Sequence, residues 1–125
     1  MPLDRKQLDA LADEVLTFIE QREAEQIAYG VYDVTMTGRE VIDSFQPISG
    51  KPFPYLDRET TMAAALEALA IDLRIIRFNS SPDPAEWLIR SRIAEIVRLL
   101  AWLRLRSVRY NNQKPRHRIN SGKRL

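Results

Sequence analysis

The segment DPAEWLIRSRIAEIVRLLAWLRLRSVRY, residues 83–110, carries the strongest structural signal in the chain. It opens with Asp83 and Pro84, which is typical of a helix start, because aspartate accepts hydrogen bonds from free backbone amides and proline suits the first helical position. No glycine or proline follows before Pro115. Apolar residues recur at the three- and four-residue spacing of a helix stripe, at Ile89, Ile93, Ile96, Leu100 and Leu103. The segment therefore predicts a long helix over residues 84–110.

A second long helix is predicted immediately before this segment, over residues 58–78. Asp57 can cap its first turn, and the apolar spacing continues through it, at Met62, Leu66, Leu69, Leu73 and Ile76. Only residues 79–82 separate the two helices, and long helices joined by so short a turn lie antiparallel. The chain from residue 57 to residue 110 thus predicts an antiparallel helical hairpin.

The first half of the chain predicts two further helices and a loop. Residues 4–23 follow a capping aspartate, Asp4, and carry apolar side chains at helical spacing. Thr37 and Glu40 stand at the positions of a capping box, which predicts a short helix over residues 38–45. Residues 46–55 are interrupted by prolines and a glycine, so they predict a loop.

One segment cannot be assigned to a helix or a strand from the sequence. Residues Tyr29–Thr35 are rich in β-branched and aromatic residues, as strands are, but a single strand has no partner within the chain. The predicted fold class is therefore all-α. It is a small helical bundle with a long C-terminal antiparallel hairpin, a loop-rich middle segment and a disordered basic tail over residues 111–125. Residues 1–110 are expected to form a single helical domain.

Composition narrows the class of protein. The 125 residues include no cysteine, which excludes disulfides and cysteine-bound metal sites. The N-terminus is too charged for a signal peptide, and the chain has no run of about 18 uncharged apolar residues. We therefore expect no membrane partner and a cytoplasmic location.

Enzymatic motifs are absent from the sequence. It has no Gly-rich phosphate loop, no His-Glu-x-x-His pattern and no Gly-x-Ser-x-Gly pattern. Its one histidine, His117, stands between two arginines with no other metal ligand or catalytic partner nearby. The sequence therefore predicts a protein that is not an enzyme, with no catalytic residue, metal, cofactor or small-molecule substrate.

Charge is strongly segregated along the chain. Residues 1–50 hold 4 basic and 10 acidic residues, whereas residues 104–125 hold 8 basic residues and no acid. Basic side chains neutralise phosphates, and a nearby tyrosine can stack on a base. The predicted nucleic-acid-binding residues are Arg104, Arg106, Arg109, Tyr110, Lys114, Arg116, Arg118, Lys123 and Arg124. A solvated tail, docking on the acidic first helix and an acidic protein partner are alternatives that these charges also fit.

The two tryptophans are candidate partner-binding residues. Trp87 and Trp102 lie fifteen residues apart, about four turns of helix, and would share roughly one side of it. A core position is expected for at least one of them. Either one left outside the core would mark a protein-binding surface.

These patterns predict a non-catalytic accessory subunit that binds a protein partner and contacts DNA or RNA through its basic C-terminal end. The alternative is an adaptor or homo-oligomerising helical module that binds no nucleic acid. A winged helix-turn-helix with residues 37–45 as its recognition helix is disfavoured, because Glu40 and Asp43 would face phosphate.

Overall fold

The structure, a computed structural model, describes residues 3–47, 53, 55 and 57–123, with side chains only as far as residue 107. The described chain contains both helices and short strands. They are α1 (Arg5–Ala28), β1 (Met36–Thr37), α2 (Gly38–Ser44), α3 (Arg58–Ile71), β2 (Ile75–Arg77), β3 (Leu88–Ser91) and α4 (Arg92–Lys123), with a 3-10 turn at Pro84–Glu86 before β3.

The all-α prediction is wrong, because the mostly helical chain also forms an antiparallel sheet of three strands in the order β1-β3-β2. Met36 pairs with Ile89 across β1 and β3, and Ile75 pairs with Ser91 across β2 and β3. β1 follows the undecided segment Tyr29–Thr35 directly. The strand partner that the sequence did not reveal for β1 is the central strand β3. Residues that are distant in the chain form backbone hydrogen bonds with each other across these two strands.

The predicted helical hairpin is also wrong, because its first helix ends at Ile71 rather than near residue 78. Leu73 adopts a left-handed backbone conformation with φ of 58°. The amide of Arg74 donates to the carbonyl of Leu69 at 2.9 Å, and that of Leu73 to Ala70 at 3.1 Å. These two hydrogen bonds form a Schellman-type helix end. The chain then turns into β2, so a β-hairpin stands where the helical one was predicted.

The second predicted helix begins correctly but stops after one turn. Asp83 does cap it, accepting from the amide of Ala85 at 3.0 Å. Trp87 then takes an extended conformation and the chain continues as β3. Asn79 closes the connection between the strands, because its side chain donates to the carbonyl of Glu86 at 2.8 Å and accepts from the amide of Leu88 at 2.9 Å.

The final helix α4 therefore starts at Arg92 and continues to Lys123. It runs past the predicted end at Tyr110 and through residues that were predicted to form a disordered tail. The side chains after residue 107 lie outside the described part of the chain.

The core lies between α1, α2, α3 and the sheet. Phe45 is fully buried, and its ring meets Phe18 edge to face with centroids 5.7 Å apart. Arg58 secures the end of α2, because its guanidinium donates to the carbonyls of Ile42 and Phe45. The buried apolar side chains include Leu11, Val15, Ile19, Met36, Val41, Ile42, Met62, Leu66, Leu69, Ile75, Trp87 and Ile89. Among the described residues this cluster includes none from α4, so α4 lies at one edge of the domain.

Replacing Leu73 by glycine is expected to stabilise the fold by about 0.5–1 kcal/mol, because a left-handed conformation costs a residue with a Cβ about 1–2 kcal/mol while glycine loses some chain entropy. The side chain is 63% exposed, so its removal forfeits little packing. Urea unfolding followed by circular dichroism measures the change. Leu73→Val is the matched control and should destabilise, since β-branching suits this conformation worst. A glycine variant less stable than the parent would contradict the expectation.

Candidate partner- and nucleic-acid-binding helix

The base of α4 is anchored by a buried carboxylate on α1. Glu23 is only 2% exposed, and it accepts from the amide of Ser91 at 2.7 Å. The Ser91 hydroxyl in turn accepts from the amide of Ala94 at 3.0 Å and so caps the first turn of α4. Burial raises the pKa of Glu23 above its ordinary value, and the hydrogen bonds to Ser91 oppose that rise. These hydrogen bonds hold the first turn of α4 against α1.

A buried arginine joins three further parts of the chain at the same place. Arg90 is 3% exposed, and its Nε donates to the carbonyl of Val34 at 2.7 Å. Its two terminal nitrogens donate to Asp33 at 2.7 Å and to Glu95 at 2.8 Å, and its guanidinium lies 4.7 Å from the ring centroid of Phe78. All of the charged hydrogen bonds of Arg90 are thus directed inside the domain, so this residue is structural.

Glu95 and Arg98 extend this cluster one turn up α4. Arg98 donates through Nε to Glu95 at 2.7 Å. Burial acts to raise the pKa of Glu95, but hydrogen bonds from Arg98 and Arg90 outweigh it and hold the pKa below its ordinary value. These buried charged residues at the base of α4 were not identified from the sequence. The position of Glu23 in the sequence could have indicated its burial. Glu23 follows Val15 and Ile19 at four-residue spacing, which places it on the buried side of α1.

Beyond this anchor, α4 exposes most of its large apolar side chains. They are between 45% and 60% exposed, and they are Ile93, Ile96, Leu99, Leu100, Trp102, Leu103 and Leu105. Side chains of this kind scattered singly are ordinary, but these seven lie within residues 93–105 of one helix. Large exposed apolar residues gathered on one element in this way are typical of interaction sites.

The two tryptophans have different environments. Trp87 is buried, and its indole nitrogen donates to the carbonyl of Ser81 at 2.7 Å while Arg77 lies over the ring. Trp102 is 51% exposed on α4. They do not share one side of a helix, because Trp87 precedes β3 and Trp102 follows it. Trp87 belongs to the core, and Trp102 alone of the two belongs to the candidate surface.

The described part of the predicted nucleic-acid surface consists of Arg104 and Arg106, which are both exposed. The guanidinium of Arg106 lies 5.4 Å from the ring centroid of Trp102. A predicted partner-binding residue and a predicted phosphate-binding residue therefore adjoin. The remaining predicted residues have side chains outside the described residues: Arg109, Tyr110, Lys114, Arg116, Arg118, Lys123 and Arg124.

Many arginines elsewhere in the domain are neutralised by carboxylates. The described pairs are Arg5 with Asp9, Arg39 with Asp43 and Glu59, Arg74 with Asp13, Arg90 with Asp33 and Glu95, and Arg98 with Glu95. Arg104 and Arg106 form no salt bridge with any carboxylate whose side chain is described. No described salt bridge involves Lys6, Arg22, Arg58, Arg77 or Arg92 either, so α4 carries part of the uncompensated positive charge in the described chain and not all of it.

The element order helix, strand, helix, helix, strand, strand, with the third strand in the centre of the sheet, matches the topology of a winged helix-turn-helix. In that topology the recognition helix corresponds to α3, not to residues 37–45. The exposed positions of α3 are Glu59, Thr60, Glu67 and Ile71. The side chain of Arg58 is committed to α2, so the outward face of α3 has no cation to meet phosphate.

The described residues contain no group of three or more His, Cys, Asp or Glu side chains arranged to hold a metal ion. Within the same residues, no helix combines the length and the apolar character needed to cross a membrane. The chain matches no protein-family model, no curated protein and no solved structure.

Proposed function

We propose that the protein is a non-catalytic accessory subunit that works in the cytoplasm. Its α4 binds a protein partner through the exposed apolar side chains and binds nucleic acid through the basic end of the same helix. The observation that carries the proposal is that α4 is fixed to the domain at its base and leaves seven large apolar side chains uncovered beyond it.

The nucleic-acid part of the proposal is supported by charge and by one aromatic side chain. Arg104 and Arg106 have no described acidic partner, and the chain from residue 104 onward has 8 basic residues and no acid. Trp102 beside Arg106 offers a stacking surface next to a cation, which is the combination that binds single strands. Phosphate neutralisation by these arginines would make the affinity strongly dependent on salt.

Duplex recognition by α3 is the second candidate, and the element order favours it. Its weakness is electrostatic, because the outward face of α3 carries Glu67 and no free cation. Fold-level analogy does not decide function, and a recognition helix needs groups that meet phosphates and base edges. We therefore place nucleic acid on α4.

Replacing Arg104 and Arg106 together by glutamine is expected to weaken binding of a labelled 20-nucleotide single strand about tenfold. The slope of log affinity against log salt should fall by about 1.4, because each arginine neutralises one phosphate and each phosphate of a single strand contributes about 0.7. Fluorescence anisotropy between about 50 and 200 mM salt measures both quantities. Deleting residues 111–125 should reduce the slope further.

Two control variants decide where the binding surface lies. Arg5→Gln removes one positive charge from an exposed arginine on α1 that pairs with Asp9, and it should leave affinity unchanged. Glu67→Ala changes the outward face of α3 and should likewise have little effect. If the affinity changes neither with salt nor with the substitution of both α4 arginines, the nucleic-acid part of the proposal is wrong. A strong effect of Glu67→Ala on duplex binding would favour α3 as the binding helix.

A further inference from the structure

An apolar groove of about 560 Å³ lies between the C-terminal half of α1 and the start of α4. Ala24 and Ile27 line it from α1, and Ile93 and Val97 line it from α4. Glu20 lies at the same groove and is half-buried. A groove walled by two helices accepts a third helix that presents an apolar face.

α4 itself carries an apolar face with the spacing that such packing requires. Ile93, Ile96, Leu100 and Leu103 recur at three, four and three residues, which is the a and d pattern of a coiled coil. We call these four residues the α4 seam. They are 53–60% exposed, so the domain itself does not cover them. Ile93 belongs both to the seam and to the groove, and the two surfaces are therefore continuous.

We propose that a second copy of the chain occupies this groove, with its α4 packed antiparallel on the α4 of the first. The inference rests on the proposed function, since it names the partner of the same helix. Each copy has both a seam and a groove, so one two-fold axis satisfies both copies at once. With the axis midway between Ile96 and Leu100, these two residues meet across the pair. Ile93 of one copy then meets Leu103 of the other.

Charge favours the antiparallel orientation. Arg104 of one copy then lies beside the start of α4 in the other copy, where Glu20 and Asp72 adjoin Ile93 together with two arginines. Arg74 is already paired with Asp13, and Arg92 donates to the carbonyl of Leu73, so the two carboxylates outnumber the one arginine that has no acidic partner. A parallel pair would instead bring the basic ends of both helices together, with Arg104 and Arg106 of each copy side by side. Unlike charges at the edges of a helical seam favour pairing, and like charges oppose it. Arg106 projects away from the seam and stays accessible beside Trp102.

The oligomeric state tests this proposal through two matched leucine substitutions. Leu100 lies on the seam and Leu105 lies off it, yet they are 60% and 59% exposed, so neither substitution should disturb the domain's folding. Sedimentation equilibrium of the parent chain should give a species of twice 14.5 kDa. Leu100→Asn should raise the dissociation constant at least about tenfold, and Leu105→Asn should leave it near the parental value. A parent that is monomeric at all concentrations, or equal effects of the two substitutions, would overturn the proposal.

Disulfide trapping tests the orientation of the two α4 helices. Because the chain contains no cysteine, only introduced cysteines can form the disulfide. Equal amounts of Ile93→Cys and Leu103→Cys chains, distinguished by a tag, are mixed and oxidised. Antiparallel pairing predicts that the cross-linked product joins one chain of each kind. Products that join two identical chains would establish a parallel pair and overturn the proposed arrangement.

These results are separable from the outcome for the proposed function. A monomer that still binds a single strand through Arg106 overturns only the second copy as partner. A dimer that binds no single strand supports this inference and overturns only the nucleic-acid part of the function.

Charge exchange tests independently whether Arg104 of one copy lies beside Glu20 of the other. Glu20→Lys should weaken the dimer, and adding Arg104→Glu to the same chain should restore pairing.

Discussion

Gly38→Ala is expected to lower the free energy of unfolding by about 3 kcal/mol, at the upper end of what overpacking costs. A Cβ added at Gly38 would lie 1.8 Å from the carbonyl oxygen of Pro84 and 2.8 Å from its carbonyl carbon. Both are backbone atoms, so no side chain can rotate away. The amide of Gly38 also donates to the carbonyl of Trp87 at 2.8 Å, which holds α2 against the turn before β3. Urea unfolding followed by circular dichroism measures the loss.

Gly30→Ala is the matched control, because it adds the same methyl group at a second glycine. No atom lies within 4 Å of a Cβ built there, but Gly30 has a φ of 84°. The expected cost is therefore only backbone strain, about 1 kcal/mol. If Gly38→Ala costs no more than Gly30→Ala, the close approach of α2 to residues 84–87 is wrong.

Arg90→Met is expected to destabilise the domain by about 3 kcal/mol, because it removes one partner of a buried charge cluster. The substitution leaves the carbonyl of Val34 without its donor and deprives Glu95, whose side chain is 16% exposed, of one of its two cations. Asp33 contributes little to this loss, since its side chain is 87% exposed. Equilibrium unfolding in urea at neutral pH measures the change.

Arg98→Met is the comparison for this prediction. Arg98 contacts the same carboxylate, but its side chain is 35% exposed, so the expected loss is below about 1 kcal/mol. The pH dependence gives a second readout. The lowered pKa of Glu95 means that its contribution to stability is present at neutral pH and is lost as the pH falls through the folded-state pKa. Arg90→Met should reduce this acid sensitivity, and similar costs for both arginines would show that Arg90 is not the buried centre.

Local signals in the sequence were reliable wherever a few neighbouring residues decide the outcome. Asp4, Thr37, Asp57 and Asp83 were all predicted to cap, and each accepts from an amide two or three residues ahead. A cap depends on one side chain and the next turn of backbone, so no distant contact is needed. The exposed apolar residues and arginines of α4 were likewise visible as a pattern.

The β-hairpin could not be predicted in the same way. Ile76 and Ile89 fit the spacing of a helix stripe, yet isoleucine also suits strands. Their strand conformation depends on pairing with residues that are distant in the chain, as between Met36 and Ile89. No window of neighbouring residues contains that partner, so helical spacing alone favoured the wrong structure.

Chain composition and short-range spacing thus settled the four predicted caps, the apolar stripes and the segregation of charge, because each of these depends on residues close together. The fold class, the burial of Trp87 and the internal pairing of Arg90 followed only from packing. The same packing left the α4 seam uncovered. Whether an apolar or charged side chain becomes core or surface depends on which distant element lies against it, and that is a property of the folded chain.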